Sequence, residues 1–125
     1  MCIRDRIYVH SSVFEEFLDL LVDKAQAVEI NWPDIHQGHM GPFIFPPQGA
    51  KVQEQIDDAV SHGATVHTGG QVEDHGGQWC KPTVMTGLNH DMMIMREETF
   101  GPVIPVMPFD SVDEAIALAL SLIHI

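Results

Sequence analysis

The sequence predicts an α/β fold with a mostly parallel sheet and flanking helices. Short β-prone runs alternate with stretches of helical periodicity along the chain, the pattern of a sheet with helices on its faces. Two Ser-x-x-Glu signatures, Ser12/Glu15 and Ser111/Glu114, stand directly before apolar-periodic stretches, as capping boxes do. Glycine pairs and Gly-Pro steps fall between the periodic segments, where turns belong.

Taken in order, Ile7-Tyr8-Val9 is a β-prone run and reads as the first strand. After Ser12 the apolar residues Val13, Phe14, Phe17, Leu18, Leu21, Val22, Ala25 and Val28 follow helical spacing, giving a helix with one buried face. Asn31-Trp32-Pro33-Asp34 ends it, and a loop runs through Gly38 and Gly41-Pro42. Pro46 and Pro47 introduce a second helix, with Val52, Ile56, Ala59 and Val60 as its apolar face and Gly63 as its C-terminal cap. Thr65 to Thr68 reads as a strand closed by Gly69-Gly70, and Gly76-Gly77 marks another turn. Trp79 to Leu88 is extended and broken by Pro82. Asp91 to Arg96 forms a short helix or turn. Val103 to Met107 reads as a strand despite Pro105. A last helix follows Ser111 through Ala115, Ile116, Leu118 and Ala119. No internal repeat or low-complexity linker interrupts the chain.

Composition bounds the function. The chain has 125 residues, of which 45% are hydrophobic and 19% charged, ordinary for a globular domain. Its formal net charge is -12 with only six Lys and Arg, so it lacks the basic footprint a nucleic-acid partner requires. No apolar run approaches the ~20 residues that span a bilayer, and the N-terminus has no signal-peptide apolar region. Two distant cysteines make neither a disulfide framework nor a metal spacing, and the expected setting is cytoplasmic.

The two ends are related to one another at the level of DNA. One codon choice for Met1 to Arg6 is ATGTGTATAAGAGACAG. Its reverse complement, CTGTCTCTTATACACAT, reads Leu-Ser-Leu-Ile-His and then an AT-codon that can be Ile, which is Leu120 to Ile125. The match resembles a transposase end sequence used in preparing sequencing libraries. Residues 1–6 and 120–125 are therefore expected to be tag-derived artefacts of a metagenomic-type shotgun fragment, leaving 7–119 as native sequence, and Cys2 is not read as a nucleophile.

The most informative run is Glu97-Glu98-Thr99-Phe100-Gly101-Pro102-Val103. It sets two carboxylates before a Gly-Pro turn into a strand. An ionised carboxylate has only acceptors and can take two hydroxyl hydrogen bonds at once, as from a ribose diol. In an extended chain an aromatic ring two residues later lies on the same side. On these residues alone the run is either a solvated acidic turn or a ligand site.

Met95 to Val103 resembles the glutamate–phenylalanine–glycine–proline segment of the aldehyde dehydrogenase family. The neighbouring pattern agrees in order: Arg6-Ile7-Tyr8-Val9-His10, Gly41-Pro42, Gly69-Gly70 followed by Pro82-Thr83-Val84, and Asp113-Glu114-Ala115-Ile116-Ala117-Leu118-Ala119. The resemblance covers essentially all of Ile7 to Ala119 and implies a partial aldehyde dehydrogenase catalytic domain. For the parent protein it implies oxidation of a small-molecule aldehyde to a carboxylic acid with NAD or NADP as cofactor, in a homo-oligomer. It implies that Glu98 hydrogen-bonds the nicotinamide ribose and that Phe100 packs beside the nicotinamide end, while Glu97 is structural. The purpose would be positioning, since hydride donor and acceptor must be held at near-attack distance. The family's catalytic cysteine would fall at about Met1, and its general-base glutamate and oxyanion-hole asparagine further upstream. The chain by itself is therefore expected to carry no catalytic residue and to be inactive. Met40 stands where relatives often have a polar residue.

Other candidates have plainer readings. Cys80, beside Lys81, has no identifiable partner base and reads as structural. Asp34, His36 and His39 could form a metal triad on paper, but they sit in a Gly-containing loop and no metal site is expected. Met92, Met93, Met95 and Met107 read as adaptable packing. Two rival functions stand beside the first: an acyl-CoA- or acyl-phosphate-linked reductase of the same fold, and a non-catalytic acidic binding module.

Overall fold

The computed structural model describes residues 6–97 and 99–120. The chain runs β1 (Ile7–His10), a 3-10 turn (Ser11–Val13), α1 (Phe14–Gln26), α2 (Pro46–Ser61), β2 (Thr65–Thr68), β3 (Val72–Asp74), β4 (Gln78–Cys80), β5 (Thr83–Thr86), α3 (Met93–Arg96), β6 (Val103–Phe109) and α4 (Val112–Ala119). The described residues form a four-stranded sheet in the order β1-β6-β5-β2, parallel at β1/β6 and β5/β6 and antiparallel at β2/β5. A separate antiparallel ribbon pairs β3 with β4. The α/β architecture with a mostly parallel sheet is thus as expected. The β3 strand was not predicted, because its three residues, Val72 to Asp74, are too short to show a period.

Period-two alternation divides the sheet between two apolar layers. On one side α1 covers Val9, Val84 and Val106 with Leu18 and Ala25, flanked by Phe14, Phe17, Leu21 and Val22. On the other side α2 and α3 cover Met85 and Val103 with Val52, Ile56, Ala59, Met92, Ile94 and Met95. Central β6 tolerates its prolines because its partners divide its length. Val103 to Pro105 register with β5, whereas Val106 to Phe109 register with β1. Neither Pro105 nor Pro108 is paired on both sides, so the missing N–H groups break no double ladder.

The helix ends separate good sequence signals from poor ones. Gly63 caps α2 at φ +101°, with Gly63 N–H donating to Val60 O at 3.0 Å and Ala64 N–H to Ala59 O at 3.0 Å. Those two bonds make a Schellman motif, and φ in this region is why glycine stands there. Ser111 caps α4 as expected, accepting from Glu114 N–H at 3.2 Å, while the Glu114 carboxylate accepts from Asp110 N–H at 3.1 Å. Ser12 does not cap α1. Its hydroxyl bonds His10 Nδ1 at 2.7 Å, and α1 begins after a 3-10 turn with Val13 at the cap position. A local side-chain partner has outcompeted the cap. The predicted apolar faces also lose residues: Val13 and Val60 are exposed, and α1 ends at Gln26, short of Val28.

Of the residues expected to be tag-derived, 1–5 and 121–125 lie outside the described residues. Arg6 is described and donates through Nη2 to Met95 O at 2.9 Å. Leu120 is the C-cap residue of α4. Among the described residues, no helix is long and apolar enough to cross a membrane.

Candidate functional site

The chain leaves α3 at Glu97, whose backbone is extended at φ -112° and ψ 153° and whose N–H still donates to Met93 O at 2.9 Å. Glu98 lies outside the described residues. From Thr99 to Pro102 the turn lies against one face of α2. Residues Gln48, Val52 and Gln55 stand there at the i, i+4, i+7 spacing of a helix face. Each meets a different part of the turn. Gln48 Nε2 donates to Phe100 O at 2.9 Å. A Cβ on Gly101 would come within 2.8 Å of Val52 Cγ2, so glycine permits the close approach. Thr99 Oγ1 donates to Gln55 Oε1 at 2.9 Å, and Gln55 Nε2 lies 3.5 Å from Glu97 Oε2. At the far end Thr83 N–H donates to Pro102 O at 2.7 Å and leads the turn into the sheet.

This bracing presents Phe100 to solvent. Its side chain is 68% exposed, a large apolar surface left open on an anchored turn. It lines a groove of about 550 Å³ together with Met40, Pro42, Phe43, Phe45 and Cys80. The opposite wall comes from the loop before α2. Phe43 N–H donates to Gln78 O at 2.7 Å. Further back, Asn31 N–H donates to Met40 O at 2.8 Å, and Asn31 Oδ1 accepts from Trp79 Nε1 at 2.7 Å. Trp32 and His75 stack at 4.8 Å next to Trp79, which stiffens the base of the loop. An open, mainly apolar slot beside an aromatic ring fits one face of a flat heterocycle.

Cys80 lines this groove but its residue is buried, and burial pushes its thiol pKa above the ordinary value of 9.0; the Thr83 hydroxyl pulls the other way and Glu73 adds to the rise. A thiol held protonated in this way is a poor nucleophile. Among the described residues no three His, Cys, Asp or Glu side chains converge as a metal site. The loop groups have local work instead. Asp34 Oδ1 accepts from His36 N–H at 2.9 Å and His39 Nδ1 accepts from Glu29 N–H at 3.0 Å. Met92 and Met95 are fully buried in the layer under α2.

Sequence reasoning singled out Glu98 and Phe100 as cofactor-binding and did not single out Gln48 and Gln55, which brace the turn. The available signal was polarity out of place, since both amides fall in register with the apolar residue Val52 on α2.

The chain also matches known proteins in sequence and fold. The family model described as "Aldehyde dehydrogenase family" matches residues 1–121. The 2-hydroxymuconic semialdehyde dehydrogenase of Pseudomonas putida is 41% identical over 123 residues, covering 94% of this chain and 25% of its own length. The structure of "Putative Aldehyde Dehydrogenase PutA" from Anabaena variabilis superposes with a TM-score of 0.91 at 49% identity, over 94% of this chain and 25% of that one. An NAD+ complex of aldehyde dehydrogenase from Bacillus cereus superposes with a TM-score of 0.85 at 38% identity, over 94% and 24% of the two chains. The chain thus spans about a quarter of the length of the curated relatives it matches. It belongs to the aldehyde dehydrogenase family.

Proposed function

We propose that the chain is the part of an NAD(P)-dependent aldehyde dehydrogenase that forms the nicotinamide-side edge of the cofactor cleft. The observation that carries the reading is the exposed Phe100 ring, lining an apolar groove on a turn braced from α2 and β5. Leaving such a ring in water has no packing benefit, and it suits a site that receives a flat apolar ligand. The related protein from Bacillus cereus has been seen with NAD+, which supports the same ligand class here.

In this reading Phe100 packs beside the nicotinamide end, and Glu98 accepts hydrogen bonds from the nicotinamide ribose. The bound nicotinamide supplies a hydride acceptor for the aldehyde-derived carbon. The chain's own residues orient and exclude water. The turn fixes where the ring can sit, the groove wall of Met40, Pro42 and Phe43 limits its other side, and Cys80 remains a buried wall residue. Holding donor and acceptor in one geometry is where such a clamp acts on rate. A small-molecule aldehyde as substrate, a homo-oligomeric assembly and a cytoplasmic setting complete the proposal.

Phe100→Ala in the full-length enzyme tests it. We expect single-turnover hydride transfer to fall about tenfold, with cofactor affinity weakened less, because alignment rather than gross binding is lost. A variant with wild-type single-turnover rate and wild-type cofactor affinity would remove Phe100 from the site.

A further inference from the structure

We infer that Gln48 is a positioning residue for the Phe100 ring, acting through the Phe100 backbone carbonyl. The inference rests on the proposed role of Phe100.

Gln48 follows Pro46 and Pro47 in the first turn of α2. The two pyrrolidine rings preset φ at the helix entry, and Gln48 N–H donates to Phe45 O at 3.0 Å, so the side chain projects from a stiff base. A glutamine at this position ordinarily reaches back to the cap residue when that residue is Ser or Thr. Here the cap residue is Phe45, which has no hydroxyl and makes no side-chain cap. Gln48 Nε2 instead donates to Phe100 O at 2.9 Å, across 52 residues of sequence.

That carbonyl is where the turn needs a restraint. It belongs to the peptide unit shared with Gly101, and glycine lets such a unit rotate at little steric cost. The points on either side are held by other groups. Thr99 Oγ1 donates to Gln55 Oε1 at 2.9 Å before the ring, and Pro102 O accepts from Thr83 N–H at 2.7 Å after it. Gln48 fixes the unit between them. The same bond ties together two segments of the groove lining, Phe45 with Gln48 and Phe100 with Gly101. Phe45 and Phe100 are 64% and 68% exposed, so burial in the protein does not fix either ring. The space left for a flat ligand therefore depends on the Gln48 amide. A ligand seated in the groove would also shield this bond from water and strengthen it.

The test is a double-mutant cycle in the full-length enzyme, read by single-turnover hydride transfer at saturating cofactor beside cofactor affinity. Gln48→Met keeps the volume and removes the donor. We expect hydride transfer to slow about fivefold with a smaller change in affinity, the effect of one neutral hydrogen bond expressed in alignment. Gln48→Lys returns an N–H donor at similar reach and should recover most of the rate. In a Phe100→Ala background Gln48→Met should add little, because it acts through the ring. Gln53 braces β3 from the same helix, accepting from Val72 N–H at 2.8 Å and donating to Gly70 O at 3.2 Å. Gln53→Met should therefore lower unfolding stability and leave the hydride step at the parental rate. Equal slowing by Gln48→Met and Gln53→Met, or by Gln48→Met and Gln48→Lys, overturns the inference. So does an unchanged rate for Gln48→Met, or full additivity, in an enzyme that Phe100→Ala does slow. A Phe100→Ala enzyme at the wild-type rate overturns the underlying role of Phe100 instead. Should Gln48→Met fail to fold, Gln48→Glu removes the donor and keeps the surface polar. It should be slower than Gln48→Lys, and equal rates for these two contradict the inference.

Discussion

Between α1 and the sheet, Leu18 and Ala25 pack on Val9, Val84 and Val106, with aromatic and aliphatic flanks from Phe14 to Val22. Under α2 and α3 it is covered by Met85, Met92 and Met95 among branched residues, and the same helix buries Gln55. The first face is apolar throughout and offers nothing for directional bonding. The second contains unbranched side chains that fill irregular space, and it projects two amides at the turn from Glu97 to Pro102. One face holds the sheet together, and the other also places the site.

The sharpest way to break this comparison is to cut both faces. Leu18→Ala removes a buried side chain from the α1 layer and should cost about 3 kcal/mol of unfolding stability, by lost burial plus the cavity left behind. Single-turnover hydride transfer per folded molecule should stay at the parental value. Denaturant unfolding and active-site-normalised kinetics on one full-length variant read both halves, and a slowed chemical step would show that the α1 face also sets the site. Gly101→Ala acts on the other face. The added Cβ meets Val52 Cγ2 at 2.8 Å, so the turn or the helix must shift. We expect a loss of about 1–2 kcal/mol from overpacking, and in this case a slower hydride transfer as well.

The smallest effect concerns the groove wall. Burial raises the Cys80 thiol pKa in the folded state above its ordinary 9.0. Below pH 9 both states hold the proton and stability is unaffected. As pH rises through 9.0 the unfolded chain ionises first, so stability falls until the folded thiol ionises too. Comparing unfolding midpoints at pH 8 and pH 10 for the parent and Cys80→Ala isolates this group. The parent should lose more on going to pH 10, and an equal loss in both proteins would mean that the thiol is not held protonated by the fold.

How much of this was legible in the sequence depends on the range of the forces involved. Helix α2 was readable because Pro46 and Pro47, the Val52–Ile56–Ala59 stripe and Gly63 are all local signals pointing the same way. The Ser111 cap was readable for the same reason. Ser12 carries the same signature, but His10, two residues away, takes its hydroxyl, and only the folded path of β1 into the 3-10 turn brings them together. Val60 sits within the predicted stripe, yet the sheet covers only the part of the helix facing Met85 and Val103. At the candidate site, Phe100 was singled out only through the resemblance of Met95 to Val103 to a family segment, since the residues alone left a solvated turn and a ligand site both open. The Thr99–Gln55 hydrogen bond was not legible, since the two residues are far apart in sequence and their bond exists only once α2 lies under the turn.

The proposed role of Glu98 is tested most directly by Glu98→Gln in the full-length enzyme, with single-turnover hydride transfer measured beside cofactor affinity. The amide keeps the size of the side chain but replaces one acceptor with a donor, so a ribose diol loses a partner. The account predicts a chemical step slowed about tenfold and an affinity weakened by a smaller factor. A single-turnover rate equal to that of the parent enzyme would contradict it.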